Sequence, residues 1–174
     1  MTNKIFMALV ACISFLPISS SYSADGTIEF IGEIIDQACE VKTESKNIQV
    51  QLGRIPKANL PNVGSKSIPV KFTIVLVNCP VSISSATVSF DATPFSGDNT
   101  VIALKTASNA ATGVGVQLTD NKNATVTLLS PSNEYPLLPT VENNLDFTAN
   151  YVAKAIPVTV GPANASATFL ISYN

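Results

Sequence analysis

Apolar residues recur at every second position in one segment after another of this chain. Because successive side chains of a β-strand point to opposite faces, each such run predicts a strand with one buried face. The alternating runs are Ile48/Val50/Leu52, Ile68/Val70/Phe72/Ile74, Val88/Phe90/Ala92, Val114/Val116/Leu118, Val126/Leu128, Leu145/Phe147/Ala149/Tyr151 and Ala167/Phe169/Ile171/Tyr173. No segment of ten or more residues carries the apolar stripe of a helix, so the sequence predicts an all-β fold.

Turn-forming residues separate the alternating runs. They are Ile55-Pro56 through Pro61-Asn62 and Gly64, Pro94 with Gly97-Asp98-Asn99, Asp120 to Asn123, Pro131 to Asn133, and Gly161-Pro162. Many short strands joined by such turns are typical of an antiparallel sandwich or barrel. Since the sequence contains no repeat and no low-complexity linker, we predict one such domain.

The composition excludes several function classes. The chain is 46% hydrophobic and 13% charged, which is too apolar for a disordered protein. Its ten Lys and Arg residues are dispersed and outnumbered by twelve Asp and Glu, so it has no basic patch for nucleic acid. Histidine, the usual general base and the commonest ligand of transition metals, is absent. We therefore predict no enzyme, no catalytic, cofactor or metal site, and no small-molecule substrate.

Residues 1–23 have the organisation of a secretory signal peptide. A basic start is followed by the apolar run Ile5–Ile18, and small polar residues come next. The run has 14 residues, fewer than the roughly 20 that a helix needs to span a bilayer, so a permanent anchor is the weaker alternative. Cleavage after Ser23 places small residues at both recognition positions, whereas cleavage after Ala24 would place Tyr22 at one. We favour Ala24 as the first mature residue.

Cleavage removes Cys12 and leaves Cys39 and Cys79 as the cysteines of the exported chain. In an oxidising compartment, two cysteines predict one disulfide, which would close a loop of about 40 residues. Two free buried thiols are the alternative. A metal site is disfavoured because two cysteines without histidine cannot complete a tetrahedral shell.

The start of the mature chain, residues 24–36, is its most unusual segment. One face of its alternation carries Gly26, Ile28, Phe30, Gly32 and Ile34, and the opposite face is more polar. Periodicity alone makes this segment the first strand of the sandwich. Because it follows the cleavage site directly, it is also a free chain end that can leave its own domain without opening a loop.

A set of motifs, in a fixed order, resembles the subunits of chaperone–usher pili, in particular type 1 fimbrial subunits. The resemblance extends over essentially the whole mature chain. Its specificity comes from the combination of these motifs with the cysteine pair and the penultimate tyrosine. The matching segments are Gly26–Ile34, Ala38–Val41, Val50–Gly53, Phe72–Ile74, Gly113–Leu118, Leu145–Tyr151, Gly161 and Ala165–Asn174.

This resemblance implies an incomplete immunoglobulin-like β-sandwich, residues 37–174, with six strands and a missing seventh. The gap would leave an apolar groove at an unpaired sheet edge, a combination that promotes aggregation unless another chain fills it. In the family, a periplasmic chaperone first lends a strand to the groove. At the outer-membrane usher, the N-terminal extension of the next subunit replaces it. In this chain that donor-strand extension would be residues 24–36.

The resemblance also implies which residues bind. Ile28, Phe30 and Ile34 would insert into the groove, and Gly32 would lie where the groove leaves no room for a side chain. The candidate groove and chaperone-recognition residues of the receiving domain are Gly161, Phe169, Ile171, Tyr173 and Asn174, the last through its terminal carboxylate. From the residues alone, Tyr173 would be an ordinary inward strand residue and Gly161 a turn residue.

Two functions from different classes follow. The first is a structural subunit of a bacterial fimbria, which joins other pilin subunits and contributes to cell adhesion as part of the fibre. The alternative is a secreted sandwich that binds a host glycan directly as an adhesin. A tip adhesin of the resembled family has an additional receptor domain and no donor extension. The extension and the lack of tryptophan favour the subunit, exported through the periplasm to the cell surface.

Overall fold

The computed structural model describes residues 25–32, 34 and 37–174. The chain divides into two compact units, Met1–Ile34 and Ile35–Asn174. In the first unit, residues 25–32 and 34 are exposed and belong to no helix or strand. The predicted signal peptide, residues 1–23, lies outside the described residues and stays a prediction.

The second unit is built almost entirely from β-strands. Its described residues form nine strands, six of which have five residues or more. The strands are β1 (Glu40–Val41), β2 (Val70–Val77), β3 (Ser85–Asp91), β4 (Pro94–Phe95), β5 (Asp98–Ile102), β6 (Val114–Thr119), β7 (Tyr135–Pro136), β8 (Asn143–Ala153) and β9 (Thr168–Tyr173). Two short 3₁₀ turns, Thr43–Ser45 and Lys57–Asn59, complete the regular structure.

The strands form two antiparallel sheets. The larger sheet has the order β1-β2-β8-β6-β5-β4, and the smaller sheet has the order β7-β3-β9. An aromatic cluster joins them: Phe90 of β3 meets Phe147 of β8 edge to face, and Phe147 stacks on Phe72 of β2. The ring centroids of Phe90 and Phe147 lie 5.0 Å apart, within the usual range of aromatic pairs. The arrangement is an immunoglobulin-like sandwich, which confirms the predicted fold class.

The alternation in the sequence decides which side chains form the core. In β2, Ile74 and Leu76 are fully buried, and in β8 the equally buried Leu145 and Phe147 lie opposite Ile74 and Phe72. Burying side chains of this size contributes about 1.5–3 kcal/mol each. These residues therefore fix the register of β2 against β8, since a shift by one residue would expose the whole set.

One carboxylate of the described residues, that of Asp120, is buried after β6. Its Oδ1 accepts hydrogen bonds from the amides of Lys122 at 2.9 Å and Ala124 at 3.0 Å, and its Oδ2 accepts one from Asn133 Nδ2 at 2.7 Å. Burial raises the pKa of this carboxyl, but the hydrogen bonds outweigh burial and the pKa is lowered. Asp120 thus holds a loop closed as an ionised acceptor.

Three predicted details differ from the structure. Residues 47–53 form no strand, although Ile48, Val50 and Leu52 are half-buried and the residues between them exposed. Val126 and Leu128 are buried outside any strand. The predicted turn around Gly97 is narrower than expected: only Ser96 and Gly97, both with positive φ, form the hairpin turn, and Asp98 and Asn99 already belong to β5.

The predicted disulfide is present. It joins Cys39, immediately before β1, to Cys79, two residues after β2. The bond closes the same edge of the sheet at which Glu40 pairs with Val77. In the part of the chain that the structure describes, no helix is long and apolar enough to cross a membrane.

Candidate functional site

A groove of about 790 Å³, lined by both sheets, opens the core to solvent. Protein interiors contain few voids larger than a water molecule, so a groove of this size is a place for another group to bind. Its floor is apolar and comes from β2, β3, β5, β6 and β8. The floor residues are Phe72, Ile74, Phe90, Ile102, Val116, Leu118, Ala149 and Tyr151.

Two stretches of backbone border the floor. We call residues 46–53 the first bank and residues 163–169 the second bank. The second bank runs into β9, which pairs with β3 on one side and has no strand on its other side among the described residues. A strand edge of this kind exposes N–H and C=O groups that can pair with an added strand.

The inward side chains of β9 lack full cover. Phe169, Ile171 and Tyr173 pack against the core but are only half-buried, whereas inward residues of β3 such as Val88 are fully buried. On the outer face, Leu170 is 68% exposed. The core is thus covered on the β3 side of β9 and open on the other side.

The first bank has the side-chain alternation of a strand without its hydrogen bonds. Within residues 37–174, no backbone hydrogen bond joins residues 47–53 to another segment. A strand exists only where a neighbour completes the ladder, and this segment has none among residues 37–174. The predicted strand at Ile48–Leu52 is therefore absent because the segment borders the groove instead of a neighbouring strand.

Two tyrosine hydroxyls secure the ends of the groove. Tyr151 donates a hydrogen bond to the carbonyl oxygen of Ala163 at 2.8 Å, and Tyr173 donates one to the carbonyl oxygen of Cys39 at 3.2 Å. Burial raises the pKa of both hydroxyls above the ordinary tyrosine value, so they are protonated donors at neutral pH. Tyr173, predicted for chaperone recognition, thus has a contact within its own domain.

Basic residues flank the groove. Lys46 belongs to its lining, and Arg54 and Lys57 line a second cavity of about 560 Å³ that continues it beyond Gly53. No aspartate or glutamate lines either cavity, as far as the described residues go. The three side chains are exposed, and the ion pairs of the described residues do not include them.

The predicted donor residues lie in the first unit and are unburied there. The exposed fractions are 79% for Ile28, 92% for Phe30 and 98% for Ile34. Gly32 is exposed as well, and a Cβ added to it would meet nothing within 4 Å. Large apolar side chains at such exposure are a feature of segments that bind a partner.

Gly161 is required for packing within the domain. Its φ is +155°, a backbone angle that L-residues with a side chain rarely adopt. A Cβ added here would overlap the carbonyl oxygen of Asn109 and lie 2.8 Å from the amide nitrogen of Ala111. Sequence reasoning left open a turn or a recognition role. The structure gives this glycine a close backbone contact, and its predicted recognition role stays a prediction.

We expect Gly161→Ala to lower the free energy of unfolding by about 1–3 kcal/mol more than Gly64→Ala does, because overpacking adds to backbone strain. Gly64 is the matched control, since its φ is +89° but its Cβ would meet nothing within 4 Å. Urea unfolding followed by circular dichroism measures both variants. Equal losses would mean that the contact with Asn109 is unimportant.

The structure brings only some of the predicted site residues together. Phe169 lines the groove, and Ile171 and Tyr173 follow it along β9 on the same face. Asn174 lies beside β3, where its N–H donates to the carbonyl oxygen of Ser85 at 3.0 Å and its carbonyl oxygen accepts from the amide of Ser84 at 2.9 Å. Sequence reasoning missed the first bank, whose alternation looked like that of any other strand.

Comparisons with known proteins agree on one group. A sequence model of the family described as "Fimbrial protein" matches residues 28–174. Long polar fimbria protein A of Salmonella typhimurium is 37% identical over 168 residues, which cover 96% of this chain and 92% of that protein. The C chain of the type-1 fimbrial protein of Escherichia coli is 38% identical over 150 residues, with 85% of this chain and 83% of that protein covered.

Solved structures give the same fold. The type I fimbria protein and antigen BPSL1626 of Burkholderia pseudomallei has a TM-score of 0.59 and 34% identity over 80% of this chain and 91% of that one. The P pilus rod subunit PapA has a TM-score of 0.67 over 79% of this chain and all of that one, at 22% identity.

Proposed function

This chain belongs to the fimbrial protein family, and on that premise we propose that it polymerises by donating residues 24–36 to the groove of the next subunit. It is a structural subunit of a surface fimbria, and the subunits of such a fibre join one another. The proposal concerns how they join. Each subunit would receive a strand in its groove and give one from its extension.

One observation carries the proposal: a single chain contains both an unfilled apolar groove and a segment with unburied apolar side chains in strand spacing. The groove lies between the first bank and β9, each of which has an unpaired backbone edge among the described residues. Ile28, Phe30 and Ile34 are exposed and lie at even-numbered positions, so they would share one face when the segment forms a strand. A strand inserted between the banks would complete both ladders and cover the core, a known mode of β-augmentation.

Inserting the extension into the groove is energetically more favourable than leaving the apolar surfaces of both exposed to water. Removing the side chains of Ile28, Phe30 and Ile34 from water contributes about 1.5–3 kcal/mol each. Each backbone hydrogen bond to the banks adds about 0.5–1.5 kcal/mol. The alternative function, direct binding of a glycan, is disfavoured because the apolar floor offers few partners for sugar hydroxyls.

The same groove supports a proposal for export. A newly exported subunit exposes its apolar floor before any neighbour arrives, so a periplasmic chaperone would cover the floor with a strand of its own. At the outer-membrane usher, the extension of the next subunit would replace the chaperone's strand. Phe169, Ile171, Tyr173 and Asn174 lie on or directly after β9, the strand that a chaperone would pair with. Gly161 would act indirectly, by holding the loop at the start of the second bank.

A synthetic peptide of residues 24–36 tests the proposal. Added to the mature chain as freshly refolded monomer, at a hundredfold excess over its dissociation constant, it should raise the thermal midpoint by about 10 °C, because it binds only the folded state. Differential scanning fluorimetry and native mass spectrometry would give the shift and a one-to-one complex.

The control peptides change one face at a time. A peptide with Phe30→Asp and Ile34→Asp should lose the thermal shift, whereas one with Ile31→Asp and Ile35→Asp, which has the same charge, should keep most of it. Equal behaviour of the two peptides, or a monomer that is stable and indifferent to every peptide, would contradict donor-strand exchange.

A further inference from the structure

We infer that the groove is charge-matched to the extension of a second copy of this chain, so that Lys46, Arg54 and Lys57 attract the acidic side chains of residues 24–36 and favour a like subunit as donor. The inference rests on the proposed donor-strand exchange and goes beyond it, because apolar insertion alone does not distinguish one pilin extension from another.

The extension is the acidic part of the mature chain. Residues 24–36 contain Asp25, Glu29, Glu33 and Asp36 and no basic residue. Residues 37–174, in contrast, contain nine basic and eight acidic residues. Asp25 and Glu29 are exposed, and Glu29 alternates with the apolar residues Ile28 and Phe30, so it would point out of the groove when they point in.

Six of the nine basic residues of the domain fall into two groups, and Lys66, Lys105 and Lys122 belong to neither. Lys42, Lys71 and Lys154 form ion pairs with Glu142, Asp146 and Asp98, respectively. Lys46, Arg54 and Lys57 instead lie along the cavities, at the two ends of the apolar part of the first bank. The charges next to the groove are thus basic and available to an incoming chain.

The extension, residues 24–36, is longer than the first bank, residues 46–53. A strand of 13 residues, the length of segment 24–36, extends over about 40 Å at about 3.3 Å per residue. This length is sufficient to place acidic side chains near both Lys46 and Arg54 while the apolar face fills the floor between them. Opposite charges at such an interface act mainly on the rate and the selectivity of association.

The experiment measures association of a fluorescent peptide of residues 24–36 with the refolded mature chain by stopped flow. Raising the salt from about 20 to about 500 mM shortens the Debye length from about 20 Å to below 5 Å, and the association rate should fall about tenfold. The double variant Arg54→Gln/Lys57→Gln should start at the lower rate and lose most of this salt dependence.

A matched control separates local charge from net charge. Lys66→Gln/Lys122→Gln removes the same charge from exposed positions outside both cavity linings, and it should keep the wild-type rate. The association rate should be restored when the double variant Arg54→Glu/Lys57→Glu binds a peptide in which Glu29 and Glu33 are replaced by lysine.

The outcomes separate this inference from donor-strand exchange. If the native peptide raises the thermal midpoint but its association rate is unaffected by salt and by every charge variant, the charge-matching inference is wrong and strand exchange stands. Equal effects of the two double variants would also overturn it. If no peptide binds at either salt concentration, both proposals fail.

Discussion

Gly32→Arg should leave the domain folded and abolish its assembly into fibres. In the free chain, Gly32 is exposed and a Cβ there would meet nothing within 4 Å, so folding should be unchanged. In the proposed complex, Gly32 lies on the inserted face between Phe30 and Ile34, where an arginine would hold the strand away from the floor. Electron microscopy and the amount of surface fimbriae would measure the loss, with circular dichroism to check the fold.

Thr27→Arg is the matched control for this prediction. It adds the same charge to the same segment but on the opposite face of the alternation. We expect it to keep most of the assembly, with at most the slower rate that a less acidic extension implies. Normal fibres from Gly32→Arg, or equal loss from both variants, would refute the proposed register of the donor strand.

The strands that the sequence predicted well are those whose partners lie in the same chain. Alternation located β2, β3, β6, β8 and β9 because each contributes alternate side chains to the same hydrophobic core. The pattern predicts a sandwich or a barrel, since strands with one apolar face must pack that face against another layer. Boundaries differ by one or two residues where the ladder ends before the alternation does, as at Ile68 and Ala167.

Other elements could not be predicted because they depend on contacts distant in sequence. The β4–β5 hairpin begins its second strand with Asp98 and Asn99, polar residues that indicate a turn. Asp98 is nonetheless held in the strand by Lys154 and Thr100, which keep the pKa of its carboxyl well below the usual range. Lys154 comes close to Asp98 only in the folded sheet, so the sequence gives no sign of this ion pair.

The candidate site shows the same limit. Residues of the extension stood out because apolar alternation in a free chain end is unusual, and Phe169 was predicted from the resemblance to pilus subunits. The first bank gave no signal, because Ile48, Val50 and Leu52 would alternate in the same way in a complete sandwich. Among the described residues, no segment pairs with its backbone, and this depends on the folded domain, which local sequence cannot report.

Replacing Cys39 and Cys79 with serine should lower the free energy of unfolding by about 4 kcal/mol, the value expected for a loop of about 40 residues. Complete domains have a net stability of only about 5–15 kcal/mol, and this one leaves part of its core uncovered. The disulfide also anchors β1, which has only two residues and precedes the first bank. We therefore expect the double variant to be mostly unfolded when no strand fills its groove.

Urea unfolding of the refolded monomer measures the effect, and reducing the wild-type protein with a thiol should reproduce it, which separates the lost bond from the changed side chains. Adding the peptide of residues 24–36 should restore much of the lost stability to the double variant, because the inserted strand stabilises only the folded state. Unchanged unfolding midpoints in both the variant and the reduced protein would mean that the incomplete sandwich is held by its packing alone.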